Sequence, residues 1–116
     1  MPYIEVNMSS TLSEQGKETL KTTLGELITL IPGKTESGLM ICINDSSTIY
    51  FAGERKGKVA YINIKLYKDS EFQNKNKFTE KIFEFFENEF DINNNSLYIN
   101  FDTYDSWGVG GSLNNQ

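Results

Sequence analysis

The sequence contains one β-α-β pattern twice, and this repetition constrains the fold more than any other feature. The first unit runs from a strand at 2–7 through a helix to a strand at 40–44. The second runs from a strand at 59–67 through a helix at 72–89 to a strand at 97–102. Strands joined by a helical crossover are parallel, and the crossover is right-handed in nearly all known cases. The pattern predicts an α/β (α+β) fold, in which four strands form one sheet and both helices cover one face.

The first helix is predicted from an apolar stripe at helical spacing, formed by Leu20, Leu24, Leu27 and Ile31. Thr11 and Glu14, three residues apart, resemble a capping box at its start. Pro32-Gly33 should end it. The glycine-rich tail from Trp107 onward could hold a short edge strand.

The last strand predicts a sheet with one bare face. Leu97, Ile99 and Phe101 should pack on the helices, while Tyr98 and Asn100 point the other way. A sheet face without helices must be covered by something, and a further copy of the chain is the expected cover. On that bare face, the Tyr98 phenol and the Asn100 amide are either ordinary polar groups that face solvent or groups that bind a ligand.

Composition favours one soluble domain over residues 1–116. Hydrophobic residues make up 38% of the chain and aromatic residues 13%, which excludes wholesale disorder. The net charge of −5 argues against a nucleic-acid partner. No apolar run approaches the roughly 18 residues of a membrane span, and there is no secretory signal. We therefore expect a cytoplasmic protein without a membrane partner; export without a signal peptide would also fit.

The absence of histidine limits the chemistry available. With no histidine and one cysteine, Cys42, neither a histidine triad nor a zinc site of the usual ligands can form. An enzyme built from this chain would need a carboxylate, a lysine, a tyrosine or the N-terminus as its base. A metal site built from the usual zinc ligands is therefore not expected.

Two residues each have two interpretations. Pro2 suits the first position of a strand, where its missing N–H leaves no bond unmade. Because Met1 is removed ahead of small residues, Pro2 could also become a terminal secondary amine and act as a base. Lys34 follows the Pro32-Gly33 stop, at the end of the first helix, where a cation favours the helix dipole. The alternative interpretation makes it a carboxylate binder at the mouth of a pocket.

Taken together, these features resemble the tautomerase superfamily, in particular the macrophage migration inhibitory factor branch and its bacterial phenylpyruvate tautomerase-like members. The similarity covers nearly the whole chain: MP at the start, PGK after the first helix, YFAG before the third long strand, LYINF in the fourth and a WG…GS tail. The resemblance implies a homotrimer, in which the bare sheet faces enclose a central barrel and the sites lie between subunits.

The resemblance also implies roles for single residues. Pro2 would be the catalytic base, and Lys34 would hold the substrate carboxylate. Leu66 falls where the family uses a backbone amide beside the substrate, and Lys65 precedes it. Tyr98 and Asn100 match the pair that a neighbouring subunit contributes.

The implied activity is keto–enol conversion of phenylpyruvate-type 2-keto acids, without a cofactor. The alternative is a non-catalytic, cytokine-like trimer that binds a protein receptor. Val109 replaces the aromatic residue that many relatives carry after WG, and Leu113-Asn114 replaces a terminal phenylalanine. The aromatic wall of the pocket would then depend on Trp107.

Overall fold

In the computed structural model, which describes residues 1–55 and 57–115, a four-stranded mixed sheet carries two helices. The elements in chain order are β1 (Pro2–Met8), α1 (Glu14–Leu27), β2 (Met40–Asn44), β3 (Ala60–Tyr67), α2 (Phe72–Phe90), β4 (Leu97–Tyr104), β5 (Ser106–Val109) and β6 (Ser112–Asn115). Short 3₁₀ turns lie at Ile28–Leu30, Glu36–Gly38 and Asn94–Ser96.

The strand order is β2-β1-β3-β4, which places the two units side by side. Within each unit the crossover strands are parallel, β1 with β2 and β3 with β4. The units join through the antiparallel pair of β1 and β3, in which Pro2 lies opposite Leu66. The predicted α+β architecture of two β-α-β units is confirmed.

The core lies between one face of the sheet and the two helices. Along β1, buried residues alternate with half-buried ones, so that Ile4, Val6 and Met8 face the helices. They meet the apolar faces of both helices and of β3 and the first residue of the 3₁₀ turn after α1, formed by Leu20, Leu24, Ile28, Ile62, Ile64, Leu66, Phe78, Ile82 and Phe86. The other face carries polar and aromatic side chains, among them Tyr98 and Asn100, and no helix of the described residues covers it, as the strand pattern predicted.

The predicted capping box at Thr11 is wrong. Ser13 is the N-cap of α1, and its hydroxyl accepts a hydrogen bond from the Gly16 N–H at 3.0 Å. Thr11 instead pairs its hydroxyl with that of Ser46 at 2.7 Å, and the Leu12 N–H donates to the Asp45 carboxylate at 2.8 Å. These tertiary contacts hold residues 11–12 against the loop after β2, so the helix begins later.

The tail forms its own hairpin instead of an edge strand of the main sheet. β5 and β6 pair antiparallel, with Trp107 opposite Asn114. Gly110 and Gly111 form the turn at φ angles of 71° and 96°, a region that suits glycine. The hairpin carries the Trp107 ring to 6.3 Å from the ring of Tyr67 and 5.9 Å from that of Tyr104. It therefore builds part of the surface near the start of β1.

Within the described parts of the chain, no helix is both long enough and apolar enough to cross a bilayer.

Candidate functional site

A cavity of about 700 Å³ lies at the start of β1. Its lining comes from residues 1–3, the 37–40 segment before and into β2, Lys65 of β3, Tyr104 of β4 and the 106–109 segment of the tail hairpin. The lining is mostly apolar in type, with one cationic side chain. It is therefore suited to a small molecule that carries both an apolar part and a polar or anionic part.

Pro2 lies in this cavity because of the register between β1 and β3. It is buried and opposite Leu66, and as the first residue of its strand it leaves no ladder bond unmade. Met1 precedes it, and the Met1 carbonyl oxygen accepts a hydrogen bond from the Tyr67 N–H at 3.3 Å. The Pro2 nitrogen is an amide while Met1 is attached, and it becomes an amine once Met1 is removed.

Lys34 lies close enough to act on the N-terminal amine. Burial, and then the positive charge of Lys34, hold the pKa of the Met1 amine below its usual value. Burial, and then the charge of Lys68, lower the pKa of Lys34 itself. The Lys34 ammonium donates a hydrogen bond to the Tyr67 carbonyl oxygen. The first residue of the chain is thus in an environment that disfavours a protonated amine.

Lys65 lines the cavity and is held by two groups of β4. Its ammonium donates to the Tyr104 hydroxyl at 3.3 Å and lies 3.6 Å from the Asp102 carboxylate. The hydrogen bond to Tyr104 is the largest cause of a raised Lys65 pKa. Lys65 therefore stays charged at neutral pH, beside the first residues of β1.

Leu66 and Tyr67 occupy different environments at the end of β3. The Leu66 side chain is fully buried in the core, so only its backbone could meet a ligand. Tyr67, which the sequence patterns did not single out, directs its N–H to Met1 and its carbonyl oxygen to Lys34. The register of β1 and β3 decides whether the Leu66 or the Tyr67 amide faces the N-terminus. The residue types at 66 and 67 do not predict which amide does so.

Tyr98 and Asn100 lie on the helix-free face of β4, outside the lining of this cavity. Tyr98 is 61% exposed, and its ring packs edge-on against that of Phe51 at 5.6 Å. Asn100 is also exposed, and its side-chain oxygen accepts hydrogen bonds from Tyr61 at 2.9 Å and Asn63 at 2.7 Å. A neighbouring subunit would have to bring them to a site, and that role stays a prediction.

The aromatic wall of the cavity is formed by more residues than the sequence indicated. Its aromatic residues are Trp107, Tyr104 and Tyr3, and Val109 and Met40 add apolar surface. The sequence patterns missed Tyr104 and Met40, because the register of β4 and the path of the chain before β2 bring them there. Leu113 is 70% exposed and does not contribute to the lining.

Metal ligands are not grouped anywhere in the described residues. Within 1–55 and 57–115, no cluster of three or more histidine, cysteine, aspartate or glutamate side chains could hold an ion. The groups available for chemistry are the nitrogen at the start of the chain and the Lys65 ammonium, which belong to the cavity lining, and the Lys34 ammonium and the Tyr67 N–H, which lie outside that lining.

The mixed sheet, the two helices on one face and the site at the first residue of β1 define an α+β protein of the tautomerase-superfamily fold. The family model described as "Macrophage migration inhibitory factor (MIF)" matches residues 1–113. The chain therefore belongs to the macrophage migration inhibitory factor family. A search of curated protein sequences finds no match.

Solved structures share this fold at low sequence identity. The MIF2 protein of Leishmania major is 21% identical, with a TM-score of 0.87 and 97% of each chain covered. The MIF-like protein of Entamoeba histolytica is also 21% identical, with a TM-score of 0.81 and 97% of each chain covered. Pt0534, crystallised after inactivation by 2-oxo-3-pentynoate, is 10% identical, with a TM-score of 0.84 over 95% of this chain and 93% of its own.

Proposed function

We propose that the protein is a cofactor-free keto–enol tautomerase of phenylpyruvate-type 2-keto acids, in which Pro2, exposed by removal of Met1, is the acid and base. One observation carries the proposal: β1 begins inside a cavity, in an environment that lowers the pKa of an amine at the chain start. Membership of the macrophage migration inhibitory factor family supports a tautomerase at the level of the superfamily.

The physical case concerns the protonation state of a terminal amine. An α-amino group has a reference pKa of roughly 7.7–8.0, and the secondary amine of proline is intrinsically more basic. A base that works at neutral pH needs that value lowered. Burial disfavours the ammonium form, and the positive charge of Lys34 adds to the effect, as both do for the Met1 amine.

The proton transfer needs no further reagent. In the keto-to-enol direction, the Pro2 nitrogen takes a proton from the carbon next to the ketone. The electron pair of that C–H bond forms the carbon–carbon double bond, and the ketone oxygen becomes an enolate. The Pro2 ammonium then gives the proton to the enolate oxygen, which restores the neutral amine. In the reverse direction Pro2 returns the proton to carbon. Atoms and charge balance over each cycle.

Substrate binding in this proposal uses groups on both sides of Pro2. The substrate carboxylate accepts hydrogen bonds from Lys34 and from a backbone amide at the end of β3. The donor is either the Leu66 N–H, as the resemblance implied, or the Tyr67 N–H. The Tyr67 N–H donates to the Met1 carbonyl oxygen before Met1 is removed. Lys65 lies nearby in the lining, and Trp107 and Tyr104 offer ring surface to the phenyl group.

In the proposed site, a neighbouring subunit of a homotrimer contributes the remaining residues. Tyr98 and Asn100 lie exposed on the helix-free face of the sheet in a single chain. In a trimer closed through these faces, both residues would approach the Pro2 site of the next subunit. Light scattering should give the mass of three copies of the chain. If the protein is a monomer, Tyr98 and Asn100 do not belong to the site.

One solved neighbour supports the substrate class by its chemistry. Pt0534 was inactivated by 2-oxo-3-pentynoate, which is a 2-keto acid with an electrophilic triple bond. The fold of Pt0534 matches 95% of this chain, at 10% sequence identity. A 2-keto acid is therefore the first compound to test.

The test compares enol–keto conversion of phenylpyruvate by the wild type and by Pro2→Ala. Alanine is also small, so Met1 is removed from both, and intact mass confirms this. We expect a large loss of rate in Pro2→Ala, because a flexible primary amine replaces the fixed secondary amine. Equal rates would remove Pro2 from the mechanism. No conversion by the processed wild type would overturn the activity and favour the receptor-binding alternative.

A further inference from the structure

Tyr104 brings a hydroxyl group to the cavity at the start of β1, whose lining also includes Pro2. Tyr104 is the last residue of β4, and it pairs with Tyr67 of β3. Its carbonyl oxygen accepts a hydrogen bond from the Lys68 N–H at 3.0 Å. Its ring packs edge-on against that of Trp107 at 5.9 Å. Contacts of the backbone and of the ring therefore fix where the hydroxyl lies.

The oxygen of that hydroxyl is held by a cation. The Lys65 ammonium donates to it at 3.3 Å and also lies 3.6 Å from the Asp102 carboxylate. The same carboxylate accepts a hydrogen bond from the Asn63 amide at 3.0 Å. Side chains of β3 and β4 thus position the Lys65 ammonium against the phenol.

The contact with Lys65 leaves the hydrogen of the Tyr104 hydroxyl unused. An ammonium has donors only, so the phenol oxygen is the acceptor in this bond and its O–H can donate elsewhere. Within residues 1–55 and 57–115, the bond from Lys65 is the only one found at this hydroxyl. A hydroxyl whose oxygen accepts from a cation is a stronger donor, because linked hydrogen bonds polarise one another. Tyr104 is therefore ready to donate to an acceptor that enters the cavity.

The proposed reaction creates such an acceptor. Negative charge develops on the ketone oxygen when Pro2 takes the proton from the neighbouring carbon. The substrate carboxylate is assigned to Lys34 and a backbone amide at the end of β3, which leaves the ketone oxygen without a partner. A donor aimed at the atom where charge develops stabilises the transition state, and the loss of one such donor lowers kcat by roughly 100- to 1,000-fold in well-enclosed sites.

We propose that Tyr104 is a further catalytic residue, whose hydroxyl donates a hydrogen bond to the ketone oxygen and stabilises the enolate, and that Lys65 is a positioning residue for this hydroxyl. The inference rests on the proposed function, because it adds a residue to the same site. Tyr104 keeps its own proton, and the proton that the enolate takes up comes from Pro2. The Tyr104 ring can contact the substrate phenyl group without using the hydroxyl.

The first experiment measures enol–keto conversion of phenylpyruvate by the processed wild type and by Tyr104→Phe, which removes one oxygen and keeps the ring against Trp107. We expect kcat and kcat/KM to fall together, with little change in KM, because the bond to the enolate forms in the transition state. Tyr104 is 38% exposed, so the expected loss is about ten- to a hundred-fold, below that of an enclosed site. Tyr50→Phe is the matched control and should change nothing, since Tyr50 is 66% exposed and outside the cavity lining.

The second experiment tests whether Lys65 acts through Tyr104. Lys65→Met should lower kcat, and Lys65→Arg, which keeps a cation, should retain most of the activity. In the double variant Lys65→Met/Tyr104→Phe, we expect no loss beyond that of Tyr104→Phe, because the hydroxyl that Lys65 positions is already absent. Losses that multiply in the double variant would show that Lys65 acts independently, and its positioning role would be wrong.

Failure of this inference is distinguishable from failure of the proposed function. If the wild type converts phenylpyruvate and Tyr104→Phe is as active as Tyr50→Phe, the catalytic role of Tyr104 is overturned and the tautomerase proposal stands. A rise in KM alone in Tyr104→Phe would also overturn it, since the hydroxyl would then act on binding. If the processed wild type does not convert phenylpyruvate, both proposals are overturned.

Discussion

The Met1 carbonyl oxygen accepts a hydrogen bond from the backbone N–H of Tyr67, at 3.3 Å. Removal of Met1 would leave that N–H without its partner, beside the ammonium of Lys34. A backbone donor and a cation side by side form a binding site for a carboxylate. The residue that blocks the Pro2 nitrogen therefore also occupies the position of the proposed substrate carboxylate.

We predict that phenylpyruvate stabilises the processed protein and not the form that retains Met1. A ligand at a hundred times its Kd adds about 2.7 kcal/mol to the free energy of unfolding. Thermal unfolding of both forms, with and without phenylpyruvate, measures the difference. An equal increase in Tm for both forms would show that the carboxylate binds elsewhere.

The second prediction concerns the pH dependence of activity. A base must be unprotonated, so kcat/KM should rise with pH through the pKa of the Pro2 amine. Because the charge of Lys34 helps to lower the pKa of an amine at the chain start, Lys34→Gln should move this rise to higher pH. It should also raise KM, since a carboxylate contact is lost. A pH profile of kcat/KM measures both effects.

Lys77→Gln is the control for that profile, because Lys77 is an exposed lysine of α2 that does not line the cavity. Its profile should match the wild type. If Lys34→Gln left the rise where it was, or moved it to lower pH, Lys34 would not act on the base.

The third prediction concerns Asn63, a polar residue of the helix-free face that is only 7% exposed. Its amide donates to Asn100 at 2.7 Å and to the Asp102 carboxylate at 3.0 Å. Asn63→Asp replaces the donor with a second carboxylate. We expect the free energy of unfolding to fall by about 1–3 kcal/mol at neutral pH, and by less near pH 4, where the carboxylates begin to take up protons.

Urea unfolding at both pH values measures this effect, and Asn95→Asp is the control. Asn95 is exposed in the turn before β4, and surface substitutions usually change stability by no more than about 0.5 kcal/mol. A loss in Asn63→Asp that does not depend on pH would show that charge repulsion is not its cause.

The fourth prediction tests the packing of α2 on the sheet. Phe78 is fully buried, and its ring lies 6.4 Å from that of Phe101. Phe78→Ala should cost about 3–5 kcal/mol, since it removes a large core side chain and leaves a cavity. Phe72, in the same helix, is 76% exposed, so Phe72→Ala should change stability by about 0.5 kcal/mol or less. Chemical denaturation of the two variants compares them, and similar losses would contradict the packing described here.

The main sheet and its helices were predictable because the spacing of apolar residues within each segment indicates whether it is a strand or a helix. The strand at 97–102 alternates strictly, and the apolar residues of α2 recur at helical spacing, so the layer that each side chain joins follows from local pattern. The start of α1 was not predictable in this way. Contacts of Leu12 and Thr11 with a loop more than thirty residues away delay the helix, and no local pattern reports such contacts.

The site was predictable to the extent that it depends on residue type and order. Pro2 and Lys34 were selected from their neighbours in the chain and from the family resemblance, and they lie near the same chain end. Tyr67 was missed because its importance comes from a backbone hydrogen bond set by the β1–β3 register. Tyr104 was missed because it belongs to the cavity only through the length of β4 and its pairing with β3.

The most direct test of the central claim compares two preparations of this chain that differ only in Met1. One is processed in the cell; the other is released from a tag by a protease that leaves Met1 as the first residue. Intact mass identifies each, and the rate of phenylpyruvate enol–keto conversion is measured for both. We predict activity only in the preparation that is lighter by one methionine. Equal rates in the two preparations would contradict the claim that the Pro2 amine is the base.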